Sequence, residues 1–579
     1  MGFQRCKSKQ ISRKILLPLT GKRLLALNRF IPYFLPVSLF LLLLFSGCAN
    51  PVSPEGGPKD TSPPEPVRFS PPENSVNYTG RTIRIDFNEF INAETSGDKI
   101  LVSPPLTENP EYRLRGKTLV VAFRDSLLPN TTYSIDFGRS ISDITENNKI
   151  PGLRYAFSTG ETIDSLVLRG SVTDAFTALP VKGALVMLYA LTEDTIPPDS
   201  LPMLVRPKYM TRTGDDGTFM LSNLGPGPYK MFSLADKSGD LLFNVTGEQI
   251  AFLDSLAVPL PPQASGPAWS FRMFTPRDSL QFLDDVKTVR ERMVNLIFRN
   301  PVRNLRLIPM NADSSLSWCI LEPGMNGDTV TLWLTGELPD TLQLKIQADH
   351  MPDDTAQILV KYSEPQKKGK KAEGGPAKRL EIEPNTRGGV LNQFKTPLIL
   401  TASYPLSGCD LNSIFLVRGN DTVSIQASFS DSARRHIRTI HPFAEGTVYQ
   451  VFIPGGSFVS VNGLKNDTLR IPFRTSESGN FANLKINLKF PEGASQVIVQ
   501  LMNEKENLLE QQVLKEPGRI SFDYLLPGKF KIRAIVDQNQ NTRWDSGDYL
   551  HKIQPETVFY FPRILELRQN WDVEETWEL

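Results

Sequence analysis

The side chains whose spacing best suits chemistry lie near the C-terminus. Asp537, Asn539, Asn541, Asp545 and Asp548 occupy positions 1, 3, 5, 9 and 12 of a twelve-residue stretch, with the Arg543 carbonyl at position 7. Calcium takes about six to eight oxygen ligands, and loops of this length gather them at such intervals. Two positions depart from the pattern: Thr542 stands where a tight turn favours glycine, and Asp548 replaces a bidentate glutamate. With three charged side chains the expected affinity is weak, on the order of 10⁻⁴ to 10⁻³ M. Asp236, Ser238, Asp240 and Asn244, with Glu248 one place late, repeat the pattern less completely. The competing reading of both stretches is a polar Asx turn joining two strands.

Nothing else in the chain is spaced for catalysis. Nucleophile elbows, phosphate-binding loops, HExxH helices and dinucleotide fingerprints are missing from the strand-to-helix contexts their mechanisms require. The adjacent carboxylates Asp215 and Asp216, or Asp284 and Asp285, become acid and base only inside a shaped cleft. Cys6, Cys48, Cys319 and Cys409 are too far apart in sequence for a zinc site or a disulfide framework. His350, His436, His441 and His551 are scattered, and read as structural. The expectation is a protein that is not an enzyme, with no cofactor beyond weakly held calcium.

One cysteine has its own chemistry. Residues 1–30 carry eight basic residues, from Arg5 to Arg29, and no acidic one, and an apolar run over 31–45 follows. This is a secretory signal layout. Pro32 and Pro36 interrupt the run, which falls short of the ~20 residues that span a bilayer. Leu44-Phe45-Ser46-Gly47-Cys48 then resembles a bacterial lipobox, in which the cysteine thiol takes diacylglycerol and the chain is cut just before it. Phe45 departs from the usual aliphatic residue. The resemblance implies a signal peptide over 1–47, lipid on Cys48 as the attachment to a membrane, and a proline-rich, flexible tether over 48–66.

A chain of 579 residues exceeds a single core and implies roughly four or five domains. Lys and Arg number 64 against 63 Asp and Glu, so the net charge of +1 supplies no field for nucleic acid, and none is expected as a partner. Forty-six prolines and 39 glycines suit short strands joined by turns. Ile83, Ile85 and Phe87 alternate with polar neighbours, as do Leu119, Val121 and Phe123, and then Tyr133, Ile135 and Phe137, which is the period of half-buried strands.

Two stretches recur later in the chain. Pro129-Asn130-Thr131-Thr132-Tyr133 matches Glu445-Gly446-Thr447-Val448-Tyr449, and Phe157-Ser158-Thr159 matches Phe473-Arg474-Thr475, with 24 residues from tyrosine to phenylalanine in both. Gly217-Thr218-Phe219 and Leu224 to Tyr229 match Gly518-Arg519-Ile520 and Leu525 to Phe530 at a constant offset of 301, which carries Asp236 onto Asp537. Ordered matches at fixed offsets predict duplication.

On these residues the first module, 67–160, resembles the bacterial Ig-like domain of the S-layer type. It has Ser70-Pro71-Pro72 at its opening, Ile85-Asp86-Phe87-Asn88 on a strand, and Phe157-Ser158-Thr159-Gly160 at its close. Residues 163–260 resemble the transthyretin-like fold of carboxypeptidase regulatory domains, through Leu168-Arg169-Gly170-Ser171-Val172-Thr173-Asp174 and Asp216-Gly217-Thr218-Phe219. An unnamed β-sandwich is expected at 262–362 and a lysine-bearing linker or loop at 363–379. A second, diverged Ig-like domain is expected at 380–478, and a second transthyretin-like domain with a C-terminal extension at 482–579. The fold expected is all-β: Ig-like and transthyretin-like sandwiches in series after a lipoprotein signal peptide. The resemblance implies a role in spacing, adhesion or binding at the cell envelope, as an outer-membrane lipoprotein facing the periplasm or the surface. Its partner would be an envelope protein or a glycan. The alternative is a surface polysaccharide-binding or processing protein, for which exposed tryptophans would be the platform.

Overall fold

In a computed structural model, residues 59–579 are described apart from 96–98, 192–195, 246, 265, 267, 277–280, 314–316, 325–326 and 361–378. The signal segment, Cys48, most of the tether and the lysine cluster of the 363–379 linker lie outside the described residues. Internal contacts separate a unit over 1–62 from a compact unit over 63–579, and all that follows concerns the second. Among the described residues no helix is long and apolar enough to cross a membrane.

Alternation decides the sheets. In the first sandwich one sheet runs in the order Pro66–Ser70, Thr82–Phe87, Thr118–Ala122, Glu111–Arg115, and faces Leu101–Ser103, Thr132–Gly138 and Leu153–Ser158. Ile83, Ile85, Leu119 and Val121 turn inward from the first sheet, Tyr133, Ile135 and Phe137 from the second. Each buried side chain of this size contributes roughly 1.5–3 kcal/mol. Phe157 holds the centre, stacked on Tyr133 at 5.5 Å and met edge-on by Tyr78 at 4.9 Å.

The fourth sandwich repeats that order with other residues. Ile382–Pro384, Ile399–Ala402, His436–Ile440 and Gln426–Phe429 form one sheet, facing a sheet that contains Phe415–Arg418, Val448–Ile453 and Leu469–Thr475. The matched residues make matched bonds. The Tyr133 hydroxyl accepts from the Leu128 amide at 2.8 Å and the Tyr449 hydroxyl from the Ala444 amide at 3.1 Å. Thr159 and Thr475 donate to the carbonyls of Leu128 and Ala444, both at 2.6 Å. A tyrosine bonded back to backbone a few residues upstream is the corner device of Ig-like sandwiches.

The second and fifth sandwiches share another topology. In the second, Leu166–Asp174 pairs antiparallel with Thr218–Leu224 and parallel with Trp269–Met273. In the fifth, Ala482–Lys489 pairs antiparallel with Gly518–Leu525 and parallel with Asp572–Glu578. The facing sheets run Tyr209–Arg212, Leu185–Ala190, Tyr229–Ala235, Gln249–Phe252 and Leu508–Leu514, Val497–Asn503, Gly528–Val536, Val558–Tyr560. Both antiparallel pairs bulge at one place, beside Asn223 (φ 57°) and Tyr524 (φ 52°), which stand 301 positions apart.

The parallel strands correct two expected boundaries. Trp269–Met273 belongs to the second sandwich, which therefore runs past residue 260, and the last residues of the chain are a sheet strand where an extension was expected. Gly170 marks the first of these pairings: a Cβ there would lie 2.1 Å from the Trp269 carbonyl oxygen. The third sandwich sets Leu283–Arg290, Met293–Phe298, Thr329–Leu334 and Cys319–Pro323 against Arg306–Pro309, Thr341–Gln347 and Asp354–Leu359.

The sandwiches do not follow one another as a simple row. Arg435 binds Glu322 of the third sandwich through both carboxylate oxygens (2.8 and 2.9 Å), and its guanidinium lies 4.5 Å from the Trp333 ring. Phe394 of the fourth stacks on Tyr524 of the fifth at 4.6 Å. Met210 of the second donates its amide to Ser103 of the first at 3.1 Å. The fifth, last in sequence, returns to the second.

If the corner tyrosines act locally, Tyr133→Phe leaves the Leu128 amide without its acceptor and costs about 1 kcal/mol. Amide hydrogen exchange should then quicken in strands of the first sandwich and stay unchanged in the fourth, with Tyr449→Phe giving the reverse. Changes spread evenly over both sandwiches would contradict this.

Candidate functional site

The oxygen-rich stretch leaves the buried strand Gly528–Val536 and enters a long turn. Asp537 has no exposed surface. Its carboxylate accepts from the Gln496 side chain at 2.7 Å and from the amides of Thr542 at 2.8 Å and Asn541 at 3.1 Å. Asn539 and Asn541 both donate their side-chain amides to Asp545. Four of the five predicted residues are therefore brought together. Asp548 is engaged by His551, whose ring and backbone nitrogens lie 2.7 and 3.1 Å from its carboxylate oxygens. Among the described residues no group of three or more His, Cys, Asp and Glu is placed to hold a metal ion.

Glu556, absent from the predicted set, closes the turn. Its two oxygens accept from the amides of Gln538 at 2.8 Å and Asp545 at 3.0 Å. Burial, with the charges of Asp537 and Asp545 nearby, raises its pKa above the ordinary value. Glu248 closes the earlier turn in the same way, accepting from Lys237, Ser238 and Asn244 while Asp236 accepts from Gly239 and Leu241. By spacing alone Glu248 falls one place past the position of Asp548, but its bonds give it another role. Its counterpart is Glu556: the bracketing acids stand 12 positions apart in the first copy and 19 in the second.

Residues of the longer turn supply the centre of the contact with the second sandwich. Tyr549, 3% exposed, enters a socket of Phe232, Phe243 and Phe252, with ring centroids 6.0, 5.3 and 5.5 Å away and edge-on geometry in each case. Such pairs each add roughly 0.5–1.5 kcal/mol beyond burial. The Tyr549 hydroxyl donates to the Asp199 carbonyl, and Lys552 pairs with the Asp199 carboxylate, which also meets buried Lys230 at 3.4 Å. Around this centre Gln554 donates to the Phe252 carbonyl at 3.0 Å and Arg272 to the Thr557 hydroxyl at 2.7 Å. Phe176 lies 4.8 Å from Trp544 and 4.1 Å from the Arg533 guanidinium. Gly547 permits the approach, since a Cβ there would stand 2.6 Å from the Phe274 ring.

The acids of the site respond to pH in opposite senses. Burial pushes the Asp199 pKa up, but Lys552 and Lys230 outweigh it and hold it below the ordinary value. Its contribution is complete above the unfolded pKa and is lost as pH falls through the folded one. Glu556, held high, costs stability as pH rises from its unfolded value through its folded value.

A family model of the bacterial Ig-like domain matches residues 60–159, so the first sandwich carries such a domain. No curated protein matches the chain. Among solved structures, the Bacillus anthracis TIE protein aligns over 91% of this chain and 76% of its own at 9% identity and a TM-score of 0.15. BcpA, the major pilin subunit of Bacillus cereus, aligns over 72% and 99% at 9% identity and 0.14. Domains 1–6 of the surface layer protein SbsC align over 87% and 67% at 11% identity and 0.14. At such scores these likenesses carry no argument about this chain.

Asp537 is fully buried at the start of the turn. Asp537→Ala leaves three donors without their acceptor and should destabilise the fifth sandwich by about 3 kcal/mol, against about 0.5 kcal/mol for Asp548→Ala. Exchange rates of the Val497–Asn503 and Gly528–Val536 amides measure both. Equal effects would contradict the bracketing role.

Proposed function

We propose that the protein is a lipoprotein of the Gram-negative envelope, acylated on Cys48 at the outer membrane, whose sandwiches serve a structural, adhesive or binding role without catalysis. One observation carries the reading: the basic, then apolar leader ending in Leu44-Phe45-Ser46-Gly47-Cys48 is followed from residue 60 by a bacterial Ig-like domain. We assign the fourth sandwich as a second Ig-like domain, and the second and fifth as transthyretin-like, on their quoted motifs and shared strand orders. The partner is an envelope protein or a glycan.

The polysaccharide alternative would need exposed aromatic platforms. Trp333, Trp318 and Trp577 are buried, and Trp544 packs on Phe176. Trp571 is 45% exposed, with the Arg568 guanidinium 5.3 Å from its ring. These placements favour the structural reading.

Cys48→Ala should move the protein from the membrane pellet to the soluble fraction or leave an uncleaved precursor, and globomycin should block maturation of the wild type. Unchanged mass and membrane retention under both treatments would overturn the lipid anchor.

We also propose weak calcium binding at the turn, supported by the convergence of Asn539 and Asn541 on Asp545 beside Asp537. At the affinity expected of such loops, millimolar calcium should add roughly 0.4–1.4 kcal/mol to the fifth sandwich. Identical melting in EDTA and in excess calcium, with no heat of binding, would return the stretch to a polar turn.

A further inference from the structure

The second and fifth sandwiches lie far apart in sequence, joined covalently through the third and fourth. Contacts run from the third to the fourth at Glu322 and Arg435, from the fourth to the fifth at Phe394 and Tyr524, and from the fifth back to the second at Tyr549. The chain itself links second to third, between Trp269–Met273 and Leu283–Arg290. The four sandwiches thus close into a circuit.

We propose that the Tyr549 turn is a mechanical clasp, a joint that holds the second and fifth sandwiches together at rest and yields before any sandwich unfolds when the ends of the chain are drawn apart. Two physical points support it. First, tension entering through the first sandwich reaches the second and can leave toward Leu579 by two routes, the covalent one through two further sandwiches or the direct one across the turn. The direct route is shorter and is loaded first. Second, the contact rests on the Tyr549 plug, on Phe176 held between Trp544 and Arg533, on one ion pair across the joint from Lys552 to Asp199, and on a few hydrogen bonds. The fifth sandwich instead buries an apolar core that includes Leu484, Ile486, Phe522 and Ile532. A joint of two small aromatic contacts gives way before a core of many.

The clasp is also built apart from the fold that carries it. The earlier turn, between Asp236 and Glu248, closes on the same bracket of two acids without the added residues. Removing Tyr549 therefore takes away the plug and leaves the bracket that finishes the sandwich. On release the sandwiches stay folded, the socket of Phe232, Phe243 and Phe252 opens to water, and its hydration favours reclosure. Lengthening is accordingly reversible.

The test is optical-tweezers extension of the full mature chain held at its two ends. The wild type should show a reversible, low-force lengthening step ahead of the irregular, larger steps of sandwich unfolding. Tyr549→Ala should abolish that step and leave the later ones at their original forces. Lys552→Glu, at an exposed side chain that pairs with Asp199, provides a variant that leaves core packing untouched, and it should lower the force of the first step severalfold. A wild type in which a sandwich unfolds before any lengthening overturns the proposal. So does a first step that Lys552→Glu and Tyr549→Ala leave unchanged.

Discussion

Tyr549 lies in a socket formed by three phenylalanines of a sandwich about 300 residues earlier in the chain, and the closure of the fifth sandwich on the second centres on that insertion. Its position is in turn set by two carboxylates. Asp537 and Glu556 gather the amides at the ends of the turn, so the 18 residues between them leave and re-enter the sheet at fixed points. Buried acids are costly without donors, and each of these has two or more. The two ends of the turn are thereby fixed by the protein's own N–H groups.

The duplicated folds were legible because strand alternation and turn residues are local. The 24-residue interval from Tyr133 to Phe157 and from Tyr449 to Phe473 spans one pairing in each sandwich, and those two rings stack in both, at 5.5 and 5.8 Å. The offset of 301 held through the bulges at Asn223 and Tyr524. Parallel pairing left no such trace. Trp269–Met273 and Asp572–Glu578 join strands about 100 and 90 residues earlier in the chain, and alternation states that a segment is a strand without stating its neighbour.

The site was legible only in part. Asp537, Asn539, Asn541 and Asp545 come together as their spacing suggests, because all four lie on one short turn. Glu556 escaped notice because the longer second copy breaks the offset that would have aligned it with Glu248. Tyr549 carried no local signal at all. An aromatic residue in a polar turn is ordinary, and its value lies in a socket supplied by Phe232, Phe243 and Phe252, which alternation assigns simply to a sheet or a loop.

Docking of the fifth sandwich on the second is tested most directly by zero-length carbodiimide cross-linking of the native chain with mass spectrometry of the products. The Lys552 amine and the Asp199 carboxylate form an ion pair, so an amide between residues 199 and 552 should appear within single chains, at a yield independent of protein concentration. The pair of Lys182 and Asp215, 2.6 Å apart within the second sandwich, serves as the internal standard. Recovery of the 182–215 link without the 199–552 link, or of the latter only in dimers, would contradict the closed arrangement.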